Sequence, residues 1–253
     1  MYHGYAPPTV VLPDGIKGAV VDLDDTVARA RDVHGDVMLR ALELAGVSKW
    51  RAAEIWYHWV APWWGSPYRE LIRHAASYFR GMKRCVMRPS TFERHYHRVL
   101  RLICKGELPL RYAPEEVPHA RDLLTALHYQ LDGRLVLYSA SPYDLCKIVL
   151  RKLLLEKRFA HVVSAHPRKF RKEEPDGWLA CCELLKLPPE AVVAFTDSMT
   201  DVRGACAAGL RVYLSPAPEQ VEAVKQELSN EAFGSAVVLV DAWNNILRFP
   251  TEL

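Results

Sequence analysis

Apolar runs and helical-period segments divide the chain into two kinds of territory. Residues 18–23 (GAVVDL) form a short apolar run that ends in acidic residues, the pattern of a strand buried on both faces. From about residue 115 onward, strand-like and helix-like segments alternate. Strands are predicted at 135–139 (LVLYS), 161–164 (HVVS), 191–196 (AVVAFT), 212–214 and 236–240. Helices are predicted at 144–157, 178–187 and 202–208, the last capped by Gly209. Apolar strands alternating with helices imply a parallel sheet covered on both faces, a doubly wound, Rossmann-like α/β core.

The segment 28–114 has a different character. It carries helical periodicity at Val37, Leu39, Leu42 and Leu44, and again at Leu71, Ile72, Ala75 and Phe79. It holds five of the seven tryptophans, Trp50, Trp56, Trp59, Trp63 and Trp64, and no convincing period-two run. The strand at 18–23 needs parallel partners, and these lie beyond residue 130. The expectation is therefore an α/β core of 1–27 and 115–253, interrupted by an all-helical insertion at 28–114. Trp56 and Trp59 are expected inside the helix packing. The first 16 residues, with Pro7, Pro8 and Pro13, read as an irregular lead-in.

Composition narrows the class. Of 253 residues, half are hydrophobic and a quarter charged, which excludes wholesale disorder. No apolar run approaches the roughly 18 residues of a membrane span, and neither a charged leader before Lys17 nor an Arg-rich transit pattern occurs, so no membrane association is expected. A net charge of +3 is too mild to argue for nucleic acid. The six cysteines form no CxxC pair and no cluster with histidine, which argues against structural zinc and a disulfide framework. Reduced thiols in a cytoplasmic or similarly reducing compartment are the expectation. The sequence carries no signal for oligomeric state.

In open α/β sheets ligands bind outside the carboxyl ends of the strands. The strand ends here are Asp22-Leu23-Asp24-Asp25-Thr26, Ser139-Ala140-Ser141, and Thr196-Asp197-Ser198-Met199-Thr200-Asp201, with a basic stretch, Arg168 to Lys172, after the third strand. Carboxylates from two strand ends suit a hard divalent cation such as Mg²⁺. A hydroxyl and a lysine beside them suit a phosphoryl group. Ser141-Pro142-Tyr143-Asp144 reads as a helix start, with Ser141 at the N-cap, facing the same spot.

These residues resemble the four motifs of the haloacid dehalogenase-like superfamily. The first, DxDx(T/V), appears as Asp22 to Thr26, and the second, a Ser or Thr ending a strand, as Ser139. The third, a Lys before a helix, appears as Lys172, where Lys172-Glu173-Glu174-Pro175-Asp176-Gly177-Trp178 is similar to the common KPDPEIF stretch. The fourth, GDSxxD, appears as Asp197 to Asp201, followed by a Gly204-to-Gly209 ending similar to the family's. Thr196 stands where Gly is usual, and Ala140 where Asn is frequent. Neither change removes a group the chemistry requires. The insertion after strand one resembles the helical cap of the phosphoglycolate phosphatase and β-phosphoglucomutase branch.

The resemblance implies roles. Asp22 is the nucleophile and Asp24 the general acid/base. Asp22, Asp197 and the Asp24 main-chain carbonyl hold Mg²⁺, with Asp201 in support. Ser139, Ala140 and Lys172 bind the phosphoryl group. Arg69, in the 63–69 stretch of the cap, is a candidate substrate contact. The implied activity is Mg²⁺-dependent hydrolysis of a small phosphorylated metabolite through an aspartyl-phosphate. A phosphomutase of the same superfamily, or a non-catalytic scaffold using the basic stretches 80–88 and 168–172 as partner surfaces, remains an alternative. A dehalogenase is disfavoured, because that branch lacks the second aspartate. The ten histidines are scattered, and none receives a role.

Overall fold

The computed structural model describes residues 7–63, 68–80, 88–165 and 170–249, the side chains of 68, 69 and 78–80 excepted. Among the described residues, six strands form one wholly parallel sheet. They are β1 (Gly18–Val21), β2 (Leu135–Ser139), β3 (His161–Ser164), β4 (Val192–Thr196), β5 (Arg211–Leu214) and β6 (Val237–Leu239). Their spatial order is β3-β2-β1-β4-β5-β6, so the winding direction reverses between β1 and β4. At that switch Val21 pairs with Leu137 on one side and Phe195 on the other.

The reason β1 is apolar at every position is now visible. Successive side chains point to opposite faces, and each face has its own core. Val20, Val136 and Tyr138 pack with Trp178, Cys181, Val202 and Ala205. Val21, Leu135 and Leu137 pack with Leu123, Leu127, Leu145 and Val149. The second cluster continues into the insertion through Val33, Val37, Tyr96 and Leu100.

The insertion contains α1 (Arg31–Leu44), α2 (Lys49–Ile55), a π-helical turn at Trp56–Val60, a 3-10 turn at Ala61–Trp63, α3 (Tyr68–Arg80) and α4 (Pro89–Cys104). Ala28–Arg29 and Glu115–Glu116 pair antiparallel at its two ends, so a two-stranded neck adjoins the helices. Trp56 is buried as expected, pressed so closely on α1 that a Cβ at Gly35 would lie 2.8 Å from its ring. Trp59 departs from expectation at 48% exposed. The π-helical turn breaks the 3.6-residue spacing that placed it inside.

The remaining helices are α5 (Ala120–Gln130), α6 (Tyr143–Lys152), α7 (Pro175–Leu185), α8 (Met199–Ala207) and α9 (Val221–Asn230). The predicted helix at 144–157 stops at Lys152, because Leu154 turns left-handed at φ 58° and a 3-10 turn, Glu156–Arg158, follows. α7 begins earlier than predicted, at Pro175, whose fixed φ suits a first turn. α8 also begins earlier, because Ser198 caps it by accepting the Asp201 N–H, and Gly209 at φ 88° follows its end as expected. The lead-in is not wholly irregular: Thr9–Val10 pairs with Leu247–Arg248, and the Gln130 side chain bonds both main-chain groups of Val10. Among the described residues, Cys104, Cys146, Cys182 and Cys206 are free thiols. No helix among the described residues is long and apolar enough to cross a membrane.

Candidate active site

The ends of β1, β2 and β4, with the turn before α7, gather the polar groups. The Asp22 N–H donates to Phe195 O at 2.9 Å, which seats the first aspartate at the β1/β4 switch. The chain then turns sharply. The N–H groups of Val27 and Ala28 both reach Leu23 O, and Asp25 takes a left-handed φ of 57°. This turn carries Asp24 across to the end of β2.

Two hydroxyls meet Asp24 there. Ser141 Oγ donates to Oδ2 at 2.7 Å and Ser139 Oγ at 3.2 Å. The Ser139 oxygen also accepts the Ser141 N–H at 3.0 Å. Asp24 Oδ1 is buried and has no hydrogen-bond partner among the described residues. Burial raises the Asp24 pKa to about 6, against the Ser141 bond, which lowers it. Ser141 therefore does not cap α6 as expected. Pro142 occupies the cap position, and the Ser141 hydroxyl is turned to the carboxylate instead.

Lys172 binds from the opposite side. Its Nζ lies 2.6 Å from Asp22 Oδ1 and also contacts Asp201 Oδ2. Burial alone would lower this ammonium's pKa, but the two carboxylates outweigh it and hold Lys172 above the usual lysine range. Its carbonyl accepts the Trp178 Nε1–H at 2.8 Å, and its ammonium lies 5.5 Å from the Tyr138 ring centroid and 5.9 Å from that of Trp178. Arg171, the neighbouring cation, is exposed and pairs with Glu173 and Glu174 instead.

The fourth strand end explains its own departure. Thr196 Oγ1 donates to Asp201 Oδ2 at 2.9 Å and accepts the Ser198 N–H at 3.2 Å. The hydroxyl thus braces Asp201 where a glycine could not. Thr26 Oγ1 donates to Asp197 Oδ1 at 3.2 Å. Burial, and then the neighbouring Asp201, push the Asp197 carboxyl up to about 7. Asp22 is raised well above the usual carboxylate range by burial, in opposition to Lys172.

The expected residues Asp22, Asp24, Ser139, Lys172, Asp197 and Asp201 thus converge, although 179 positions separate the first from the last (201 − 22). Ala140 lies half-buried in the β2–α6 turn and has only main-chain groups to offer. The side chain of Arg69 and residues 81–87 and 166–169 fall outside the described residues. Sequence reasoning missed two members. His34 Nε2 lies 2.9 Å from Ser141 Oγ, and the Tyr96 hydroxyl lies 3.0 Å from His34 Nδ1. Nothing in the pattern singled out this histidine among ten. Among the described residues, no group of three His, Cys, Asp or Glu side chains converges tightly enough to hold a metal alone. A Mg²⁺ site does not require one, since this ion is bound by one or two carboxylates with water and phosphate oxygens.

A family model described as haloacid dehalogenase-like hydrolase matches residues 16–209. No curated protein matches the sequence. Solved structures similar to this chain include a predicted phosphoglycolate phosphatase from Haemophilus somnus, at 15% identity, TM-score 0.66, and coverage of 92% of this chain and 96% of that one. A mutant of CbbY from Rhodobacter sphaeroides, in complex with xylulose-(1,5)bisphosphate, matches at 19% identity and TM-score 0.60, covering 90% and 95%. A putative β-phosphoglucomutase from Thermotoga maritima matches at 22% identity and TM-score 0.56, covering 91% and 96%. At such identities the likeness establishes a shared fold.

Proposed function

The chain belongs to the haloacid dehalogenase-like hydrolases, and on that premise we propose that it is a Mg²⁺-dependent phosphatase acting on a small phosphorylated metabolite through an aspartyl-phosphate. The observation that carries this reading is the division of labour in Asp24. Two hydroxyls occupy Oδ2, and Oδ1 is buried with no hydrogen-bond partner among the described residues. A buried carboxyl raised to about 6 is suited to give up and recover a proton near neutral pH.

The donor set fits a hard divalent cation. Asp22, Asp197 and Asp201 lie near enough to act on one another's charge, beside the Lys172 ammonium. Asp22, Asp197 and the Asp24 main-chain carbonyl would hold Mg²⁺, and Asp201 would support the site through Lys172 and Thr196. When bound, the ion supplies charge neutralisation for the phosphoryl oxygens and favours ionised Asp22.

In the first half-reaction an Asp22 oxygen attacks phosphorus and the bond to the leaving alcohol breaks. Asp24 Oδ1 gives its proton to the departing oxygen. In the second, Asp24 takes a proton from water as the water oxygen attacks phosphorus, and the Asp22 carboxylate leaves with release of inorganic phosphate. Lys172 balances charge on the phosphoryl group throughout, and Ser139 with the Ala140 main chain lines its other side.

The helical segment 28–114 would serve as a cap over the strand ends, restricting access to small substrates and excluding water. The thiols of Cys104, Cys146, Cys182 and Cys206 suit a reducing compartment such as the cytoplasm.

The test is hydrolysis of p-nitrophenyl phosphate with and without Mg²⁺, beside the Asp22→Asn variant. Turnover that needs both the ion and Asp22 supports the reading. If the chain shows no turnover above the variant, and beryllofluoride, which mimics the aspartyl-phosphate, does not bind, the reading is wrong.

A further inference from the structure

A chain of buried polar groups runs from the helical insertion into the core. Tyr96 on α4 meets His34 on α1 at 3.0 Å, His34 meets Ser141 at 2.9 Å, and Ser141 meets Asp24 at 2.7 Å. Tyr96, His34 and Ser141 are all buried. Three separate elements therefore converge on one carboxylate.

With Asp24 Oδ2 as the acceptor at one end, proton counting sets the direction of each bond. Ser141 Oγ has one proton, and it goes to Asp24 Oδ2. Toward His34 the same oxygen accepts, so its partner must be Nε2–H. Burial holds His34 neutral, with its pKa lowered to about 3. A neutral imidazole carries one N–H, so Nδ1 is bare and accepts the Tyr96 O–H. The three donors thus all point toward Asp24.

The Ser141 loop is fixed independently. Ser164 Oγ on β3 donates to Ser141 O at 2.6 Å, and the Ser141 N–H is taken by Ser139. With its main chain held by the core, the Ser141 side chain has one rotational freedom, and His34 determines it.

We propose that His34 and Tyr96 are positioning residues for Asp24: through Ser141 they hold its carboxyl so that Oδ1 faces the leaving-group oxygen, and they do so only while α1 and α4 are docked on the core. The insertion then does more than shield the site, because it completes the orientation of the acid. This inference rests on the phosphatase reading above and specifies how the acid in that reading is kept aligned.

Alignment of an acid matters in proportion to the basicity of the leaving group. A nitrophenolate departs without much help, and a phenolate needs the proton. The experiment therefore compares p-nitrophenyl phosphate with phenyl phosphate, which differ little in size, on the Mg²⁺-loaded full chain. Tyr96→Phe and His34→Gln keep most of the side-chain volume, and thermal melts verify that both variants fold. The expected result is a loss of about tenfold in kcat/KM on phenyl phosphate and less than about threefold on p-nitrophenyl phosphate, because kcat/KM reports the half-reaction in which the leaving group departs. The double variant should be no worse than the poorer single one, because both act through one chain. Equal losses of kcat/KM on the two substrates, or no loss on either, overturn the proposal. A second readout needs no turnover. The ¹⁵N shifts of His34 should report the Nε2–H tautomer, and the Nδ1–H tautomer would overturn the chain. If wild-type hydrolysis does not depend on Asp22, the phosphatase reading itself fails and takes the proposal with it, whatever the tautomer.

Discussion

Lys172 and Asp22, 150 residues apart, meet at 2.6 Å in the buried floor of the site, and the same ammonium also contacts Asp201. One cation thus serves a carboxylate at the end of β1 and another in the first turn of α8. Removing it leaves like charges facing each other without water. Lys172→Met should cost about 3 kcal/mol of stability, read in urea denaturation. It should lower phosphatase turnover by at least about 100-fold. A variant that melts like the wild type would show that the pair carries no such weight.

Thr196 does by side chain what a glycine at this place cannot. Thr196→Val keeps the shape but removes both the bond to Asp201 and the acceptor for the Ser198 N–H. A loss of about 1–3 kcal/mol is expected from the groups left unsatisfied. Thr196→Ser should restore most of it. Chemical denaturation of the two variants side by side makes the comparison.

Gly204 is required by the approach of another backbone. A Cβ there would lie 1.9 Å from Lys172 O and 2.6 Å from Trp178 Nε1. Gly204→Ala should therefore push the turn that holds Lys172 away from α8. The expected signs are a stability loss of about 3 kcal/mol and a parallel loss of kcat. Loss of stability with kcat intact would separate the packing from the ammonium's placement.

Asp197, raised to about 7 by burial and by Asp201, must lose its proton before it can bind a cation. Protons therefore compete with Mg²⁺ below about pH 7. Mg²⁺ affinity should fall as pH drops through that value, by up to about tenfold per unit, and should flatten above it. Isothermal titration calorimetry at several pH values gives the slope. Asp197→Asn should bind Mg²⁺ weakly and lose that part of the dependence.

His34 should leave its mark on acid stability. Its pKa falls to about 3 in the folded chain, against about 6.5 when exposed. Above pH 6.5 both states are neutral there and no cost arises. Below it the unfolded chain takes up a proton that the folded chain refuses, so stability declines by up to about 1.4 kcal/mol per unit between 6.5 and 3. His34→Gln lacks this titration. Its stability should decline less steeply over the same window, as measured by denaturant midpoints from pH 7 to pH 4.

Much of the core was legible because parallel strands buried on both faces are written as short continuous apolar runs. The segments 135–139 and 161–164 match their strands residue for residue. Helix ends were less legible. Leu154 adopts a left-handed turn that no local residue preference announces, and α6 ends at Lys152, short of the 157 expected. Trp59 shows a similar limit in the insertion, where a π-helical turn overrides the apolar spacing. At the candidate site, Asp22, Asp24 and Asp197 stand at the ends of strands that the pattern itself defines, whereas Lys172 is singled out from its basic stretch only by resemblance to a family motif. Ser141 was assigned to the wrong bond, since a serine before Pro142 has the local form of a helix cap.

The sequence by itself determined the order of the core strands and the carboxylates, hydroxyls and lysine that follow them. Those features are local: periodicity and turn chemistry act over a few residues, and the right-handed parallel crossover then brings successive strand ends to one edge. Only the tertiary structure decided which partner each group takes. Ser141 turns to Asp24 instead of its own helix, Lys172 divides itself between Asp22 and Asp201, and His34 and Tyr96 enter the site from the insertion. Most of these pairings join residues 62 to 150 positions apart. They arise because a polar group buried by packing must find its hydrogen bond among whatever the fold has placed beside it.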